Sequence, residues 1–199
     1  MKGHHHPSLT PTFAPLVALI LAVAVAGCAA LTRQTIPPQP PATTDIHFEV
    51  DGRFAVRNGK EGGSGRIVWV HLPLSDDLTI SNPIGQGIAR IVRRDGVYTL
   101  TTSDGSEHSA TDPDRLTEGV LGWTLPLAGL SYWLRGQPAP GRPSESFGIN
   151  AERPTELRQS GWTIEYLSRH NPNGLPERLR IRRDDLDIRL VLEEWRKVQ

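Results

Sequence analysis

The strongest constraint on this fold is the stretch from residue 111 to 136, TDPDRLTEGVLGWTLPLAGLSYWLRG, which is too apolar for a loop and too interrupted for one helix. Two short helices satisfy it. Asp112 supplies an acceptor for the first free backbone N–H groups, and Pro113 suits the first helical position, where its missing N–H costs nothing. Leu116, Val120 and Leu121 then share one face, and Gly122 stops the turn. Pro126 opens a second segment in which Leu127, Leu130 and Leu134 recur at three- and four-residue spacing, with Trp133 beside the stripe and Gly136 at the stop position. Everything on either side is strand-like. The helical pair is therefore expected to lie across a sheet, its apolar underside either plugging the core or covering a cavity.

The strands are read from alternation. In FEVDGRFAVR, Phe48, Val50, Phe54 and Val56 alternate with polar residues, and Asp51-Gly52 is read as a bulge that re-aims the strand. Residues 58–65 form a glycine-rich turn on this reading. Strands follow at 65–72 and 77–81, and 88–94 pairs with 97–102 across Asp95-Gly96, a favoured hairpin turn. Asp104-Gly105 marks another turn. Residues 137–153, rich in proline and glycine, are expected to be a long surface loop. Strands resume at 155–159, 162–167, 177–183 and 187–195, the last two alternating Leu179, Ile181, Ile188, Leu190 and Leu192 with charged residues. Strands joined by short turns, with one helical excursion, predict a mainly β fold: a single antiparallel sheet curling around its apolar face, open or closed as a barrel. The 37% hydrophobic content agrees with a half-solvated antiparallel sheet and not with a buried parallel one.

The amino-terminal segment carries an address. Lys2 precedes an almost wholly apolar run at residues 13–26, the n-region and h-region of a signal peptide, and the run falls short of the roughly 20 residues that span a bilayer. It ends in Val25-Ala26-Gly27-Cys28, which resembles a bacterial lipobox. Residues 1–27 would then be cleaved and Cys28 would carry covalent lipid as the first mature residue. Two or more acyl chains make a durable anchor. Ala29 in place of an aspartate resembles an outer-membrane address. Residues 28–44, with Pro37, Pro38, Pro40 and Pro41, are expected to be an extended tether, and 45–199 the folded domain.

Several function classes lose support. Lys plus Arg and Asp plus Glu both number 22, so no net charge favours nucleic acid. There is no Gly-x-Ser-x-Gly elbow, and the glycines at 59–65 lack the Lys-Ser/Thr ending of a phosphate loop. His47, His71, His108 and His170 are scattered, and Cys28 is the sole cysteine, which disfavours a metal site. Glu193 and Glu194 are adjacent and are expected on opposite faces of a strand, unsuited to shared acid/base work. The chain is read as a non-enzyme without cofactor beyond the lipid on Cys28.

One turn stands apart. Asn82-Pro83-Ile84-Gly85 places a large aliphatic between three turn formers, and Ile84 can either fold back into the core or protrude. The helical stretch, from Gly122-Trp123-Thr124-Leu125-Pro126 through Tyr132-Trp133-Leu134-Arg135-Gly136, resembles the LolB family of outer-membrane lipoprotein receptors. So do Gly52-Arg53-Phe54-Ala55-Val56, Trp69, the Asn82-Pro83-Ile84-Gly85 loop and the late Trp195, in matching order over about residues 45–199.

That resemblance implies an unclosed antiparallel barrel whose apolar cavity is covered by the helices. It implies a protein that takes triacylated lipoproteins from a periplasmic carrier of the LolA type and inserts them into the inner leaflet of the outer membrane, as a monomer touching phospholipid. At about 0.8 kcal/mol per buried methylene, each acyl chain costs on the order of 10 kcal/mol to expose to water, so cargo cannot travel bare. On this basis Leu116, Val120, Leu121, Leu125, Leu127, Leu130, Trp133 and Leu134 are candidate lid or acyl-cavity residues. Phe54, Val56, Ile67, Trp69, Ile80, Trp162, Ile164 and Leu190 are candidate cavity walls, and Asn82, Pro83, Ile84 and Gly85 the candidate membrane-insertion loop. Two other readings stand beside it: an envelope lipoprotein of this fold that binds another apolar ligand or serves structurally, and a secreted hydrolase with an unfamiliar site.

Overall fold

The structure is a computed structural model that describes residues 35–36, 47–148, 153–170 and 174–198. Cys28, the signal segment and most of the tether lie outside the described residues. Two helices, α1 (Pro113–Leu121) and α2 (Leu127–Trp133), follow the strands β1 (Thr35–Ile36), β2 (Phe48–Asn58), β3 (Glu61–Leu72), β4 (Ser75–Ser81), β5 (Gly87–Arg94), β6 (Val97–Thr102) and β7 (Glu107–Ala110). After the helices come β8 (Ser144–Gly148), β9 (Pro154–Gln159), β10 (Trp162–Arg169), β11 (Pro176–Arg183) and β12 (Leu186–Arg196).

All twelve strands join one sheet in the order β1-β8-β9-β10-β11-β12-β2-β3-β4-β5-β6-β7, every neighbouring pair antiparallel. The sheet is unclosed: β1 and β7 are its two edges. The helices sit in the chain between β7 and β8, so the helical excursion connects one half of the sheet to the other. Inward positions follow the two-residue period of an extended strand. In β2 the buried set is Phe48, Val50, Gly52, Phe54 and Val56, and β11 and β12 contribute Leu179, Ile181, Ile188, Leu190 and Leu192. The opposite face is a lattice of ion pairs such as Arg180 with Asp187 and Arg53 with Glu193.

Six expectations need correction. Residues 58–65 are not a turn beyond Gly59-Lys60, because β3 begins at Glu61 and its glycines pair directly with β2, Gly63 opposite Val56 and Gly65 opposite Phe54. A side chain at Gly65 would put its Cβ 2.0 Å from the Ser81 carbonyl oxygen; glycine there lets β3 and β4 close up. The bulge lies on β12 and not at Asp51-Gly52: Leu192 pairs with Gly52 and Glu194 with Asp51, leaving Glu193 extra. That extra residue reverses the phase of β12. Glu193 and Glu194 consequently both reach solvent, and Trp195 turns inward onto Phe48 at 5.4 Å. The expected loop at 137–153 contains β8, and β7 follows the Asp104-Gly105 turn where no strand was expected. Within the stretch read as tether, Thr35–Ile36 pairs with β8 as an edge strand.

One end of the sheet is closed by a polar cluster inside an aromatic one. Asp76, 5% exposed, accepts hydrogen bonds from the Trp69 indole at 2.9 Å and from His71 Nδ1 at 2.6 Å, and its other oxygen pairs with Arg93. His71 is thus engaged in a structural network, with the Phe48 ring 5.1 Å away.

Candidate functional site

The other end of the same strands holds the cavity. Beyond Phe54 and Val56, β2 and β3 project toward the Gly59-Lys60 turn with only Gly62, Gly63 and Ser64 opposite, so this corner of the sheet has almost no side chains to fill it. A space of about 250 Å³ remains, walled by Phe54, Val56, Ile80 and Ile88 from the strands and by Leu121 and Trp123 from the helical stretch. Asn58, Glu61 and Ser64 supply a polar rim.

The cover is built by ordinary helix chemistry. Asp112 Oδ1 accepts from the N–H groups of Asp114 and Arg115 at 3.0 and 3.4 Å, and Gly122, in the left-handed region at φ 78°, donates back to Glu118. Buried Thr117 donates to the Pro113 carbonyl at 2.9 Å and accepts from the N–H of Leu125 at 2.9 Å, folding the interhelical linker back onto α1. Two side chains from the sheet then hold that linker: Asn58 Nδ2 donates to the Gly122 carbonyl at 3.1 Å, and Arg183 to Thr124 at 3.4 Å. Trp123 lies over Phe54, ring centroids 6.2 Å apart.

The second helix is a plug. Leu127, Leu130, Trp133 and Leu134 are buried, the Trp133 indole donates to Gln159 at 2.9 Å, and the Tyr166 hydroxyl donates to the Trp133 carbonyl at 3.1 Å. Burial pushes the Tyr166 phenol above its ordinary pKa, so it remains a donor throughout the physiological range. Gly129 is bare because the Trp133 ring occupies its space: a Cβ would stand 2.4 Å from the indole. Of the expected plug and cover, α2 does the first, and the end of α1 with its linker the second.

The Asn82 turn leaves the sheet between two cavity-lining residues, Ile80 and Ile88. Asn82 Oδ1 accepts from the N–H groups of Ile84 and Gln86 at 3.1 and 2.9 Å, its Nδ2 donates to the Gln86 side chain at 2.9 Å, and its own N–H donates to the Gln86 carbonyl at 2.8 Å. Gly85 takes φ 87°, a conformation that a residue with a side chain rarely adopts. The loop is rigid in its hydrogen bonding and Ile84 is its 79% exposed tip.

Among the residues singled out from sequence, Phe54, Val56, Ile80 and Leu121 meet at this cavity. Leu116 and Val120 lie along a neighbouring groove, Leu125, Leu127, Leu130, Trp133 and Leu134 pack beneath, and Ile67, Trp69, Trp162, Ile164 and Leu190 are buried in the same core. Asn58, Glu61, Ile88 and Trp123 were not assigned to the cavity from sequence. The glycine run was the available signal: three glycines in an extended strand leave a gap that neighbours must line.

Residues 46–195 match the family described as outer membrane lipoprotein LolB. The outer-membrane lipoprotein LolB of Pseudomonas fluorescens strain Pf0-1 is 37% identical over 150 residues, 74% of this chain and 73% of that protein. The protein of the same name from Pseudomonas paraeruginosa is 36% identical over 188 residues, 88% of this chain and 92% of its own length. A solved LolA superfamily protein from Nitrosomonas europaea superposes with a TM-score of 0.49 at 10% identity, covering 78% of this chain and 87% of that one. On the family match and on these relatives at more than a third identity across most of both chains, this chain belongs to the LolB family.

Proposed function

We propose that this protein is an outer-membrane lipoprotein, anchored through lipid on Cys28, that accepts triacylated lipoproteins from a soluble periplasmic carrier of the LolA type and releases them into the inner leaflet of the outer membrane. The observation that carries this reading is the placement of an exposed aliphatic tip, Ile84, on a hydrogen-bonded loop whose two stems run directly into cavity walls at Ile80 and Ile88. One end of the fold therefore combines a sheltered apolar space with an apolar probe. The named relatives supply the setting, since they are outer-membrane lipoproteins.

The mechanism needs no bond-making chemistry. Cargo passes from one apolar shelter to another, driven by a difference in affinity between carrier and receptor and then between receptor and bilayer. At about 250 Å³ the cavity is below the roughly 300–1,000 Å³ of ordinary ligand pockets, so three acyl chains fit only if the linker lifts from Phe54 and widens it. At the cavity mouth the linker is tied to the sheet by single hydrogen bonds from Asn58 and from Arg183 and by the Trp123 ring over Phe54, while Leu125 anchors its far end in the core. Phospholipid contact falls to Ile84, with Asn82, Pro83 and Gly85 holding it out.

The test is transfer of a labelled triacylated lipoprotein from a preloaded carrier to the purified protein, followed by co-elution. Label moving to this protein is the expected result. Label remaining on the carrier at every ratio would discard the receptor reading and leave an envelope lipoprotein that shelters another apolar ligand.

A further inference from the structure

We infer that acyl chains enter and leave the cavity sideways, through a portal between β5 and α1 formed by Ile88 and Leu121, while the ligand's uncharged polar head rests in the groove just outside. This rests on the transfer function proposed above.

Between α1 and the β6–β7 hairpin runs an open groove of about 1060 Å³. Its α1 wall carries Leu116, Val120 and Leu121 together with Arg115; its hairpin wall carries the hydroxyls of Thr102, Ser103, Ser106 and Ser109 together with Asp104, Glu107 and His108. Ile88 and Leu121 belong to the lining of this groove and to that of the partly open cavity alike. The two spaces thus share a partition at this pair of aliphatic side chains, neither of which is fully buried.

The sheet is built to put Ile88 there. Ile80 pairs with Ala89 and Ser81 with Gly87, so Ile88 is the extra residue of a β-bulge, and a bulge re-aims the side chain it carries. Its carbonyl accepts from the N–H of Ser103 at 3.1 Å, which fixes the backbone while the side chain stays 38% exposed. A held backbone with a partly exposed side chain is suited to a gate.

The groove's chemistry selects the ligand class. Hydroxyls and Arg115 beside an aliphatic stripe suit the ester and amide carbonyls of a long-chain acyl head, as in an acylated glyceryl-cysteine, whose carbonyls accept hydrogen bonds. Asp104 and Glu107 on the same groove disfavour an anionic head. Ile84 lies four residues before Ile88, on the loop that leads into β5, so the same segment carries the exposed tip and the portal residue.

The experiment measures binding of an N-palmitoyl peptide bearing a carboxy-terminal fluorophore to the purified protein by stopped flow, with Ile88→Trp and Ile88→Ala as variants. A gate changes passage in both directions equally. Ile88→Trp is expected to slow association and dissociation together by about tenfold and Ile88→Ala to speed both, the two rates moving in the same direction whatever the wall contact of Ile88 adds to Kd. Rates unchanged in both variants, or a changed Kd produced by one rate alone, would overturn the portal, the second result making Ile88 an ordinary wall residue. Failure of the unaltered protein to bind the palmitoyl peptide at all would instead bring down the proposed function, and the portal with it.

Discussion

The side-chain amide of Asn58 donates to the Gly122 carbonyl at 3.1 Å, joining the end of β2 to the end of α1 across 64 residues of sequence. Gly122 is the left-handed C-cap at which the helix gives way to the linker over the cavity, so this bond fixes the linker at its point of departure. An exposed hydrogen bond of this kind contributes about 0.5–1.5 kcal/mol, which sets the opening equilibrium of the linker within about two- to tenfold of its value without the bond. Asn58→Ala is therefore expected to raise amide hydrogen exchange at Leu125 and Leu127 by that factor while leaving the β11–β12 amides unchanged. Equal exchange in the variant would show that Trp123 packing, Arg183 and the Thr117 bond to Leu125 hold the linker without Asn58.

Ile84 contributes little to folding at 79% exposure, so Ile84→Glu is expected to shift Tm by no more than a degree or two. Its effect belongs to the membrane step. Replacing an aliphatic by a charged side chain disfavours the acyl region by about 3 kcal/mol at the bilayer centre, and half of that at the interface is about tenfold in rate. Acceptance of cargo from the carrier should stay near normal while insertion into phospholipid vesicles falls about tenfold. A variant that loses both steps equally would place Ile84 in cargo binding.

Asp76 gives a pH-dependent signature of the opposite end of the fold. Burial alone would raise its pKa, but hydrogen bonds from His71 and Arg93, reinforced by their charge, outweigh burial and hold the carboxyl below its ordinary 3.8. The folded value lies below the unfolded one. The stabilisation is thus fully present above pH 3.8 and is lost as pH falls through the folded value. Asp76→Asn strands Arg93 and is expected to cost about 3 kcal/mol at pH 7. The gap in unfolding free energy between the two proteins should narrow steadily below about pH 4, because only the unaltered protein has this proton to gain. A gap that is constant with pH would mean that the Asp76 carboxyl titrates alike in both states.

Much of this architecture could be read from residue order because the signals were local. Asp112, Pro113 and Gly122 bound α1 as their capping chemistry requires, and Asp95-Gly96 makes the expected hairpin turn, with φ of 51° and 76°. What escaped was set by contacts between distant strands. The bulge at Glu193 answers to the close approach of Gly52, whose Cβ would stand 2.5 Å from the Val191 carbonyl, and nothing near Glu193 announces it. The phase of Trp195 follows from that bulge and was equally hidden. Gly62, Gly63 and Gly65 read locally as a turn, whereas their partners in β2 extend them, and Gly63, opposite inward Val56, leaves the cavity's corner unfilled. Alternation marked Phe54, Ile67 and Ile164 alike as inward, but only tertiary packing sets Phe54 at the unfilled end.

Those glycines supply a matched pair of variants. At Gly65 an added Cβ meets the Ser81 carbonyl oxygen at 2.0 Å and the Phe54 ring at 2.9 Å, and the obstruction at Ser81 is backbone, which cannot swing away. Gly65→Ala must push β4 from β3 and displace Phe54, a cavity wall, at a cost on the scale of overpacking, about 1–3 kcal/mol. At Gly63, one turn of the pleat away on the same strand, an added Cβ meets nothing within 4 Å and φ is not left-handed. Gly63→Ala should therefore stay within about 0.5 kcal/mol of the unaltered protein. Thermal unfolding of the two variants side by side separates a general intolerance of the strand from the specific approach of β4. Equal melting temperatures would remove the close contact at Gly65 as the reason for a glycine there.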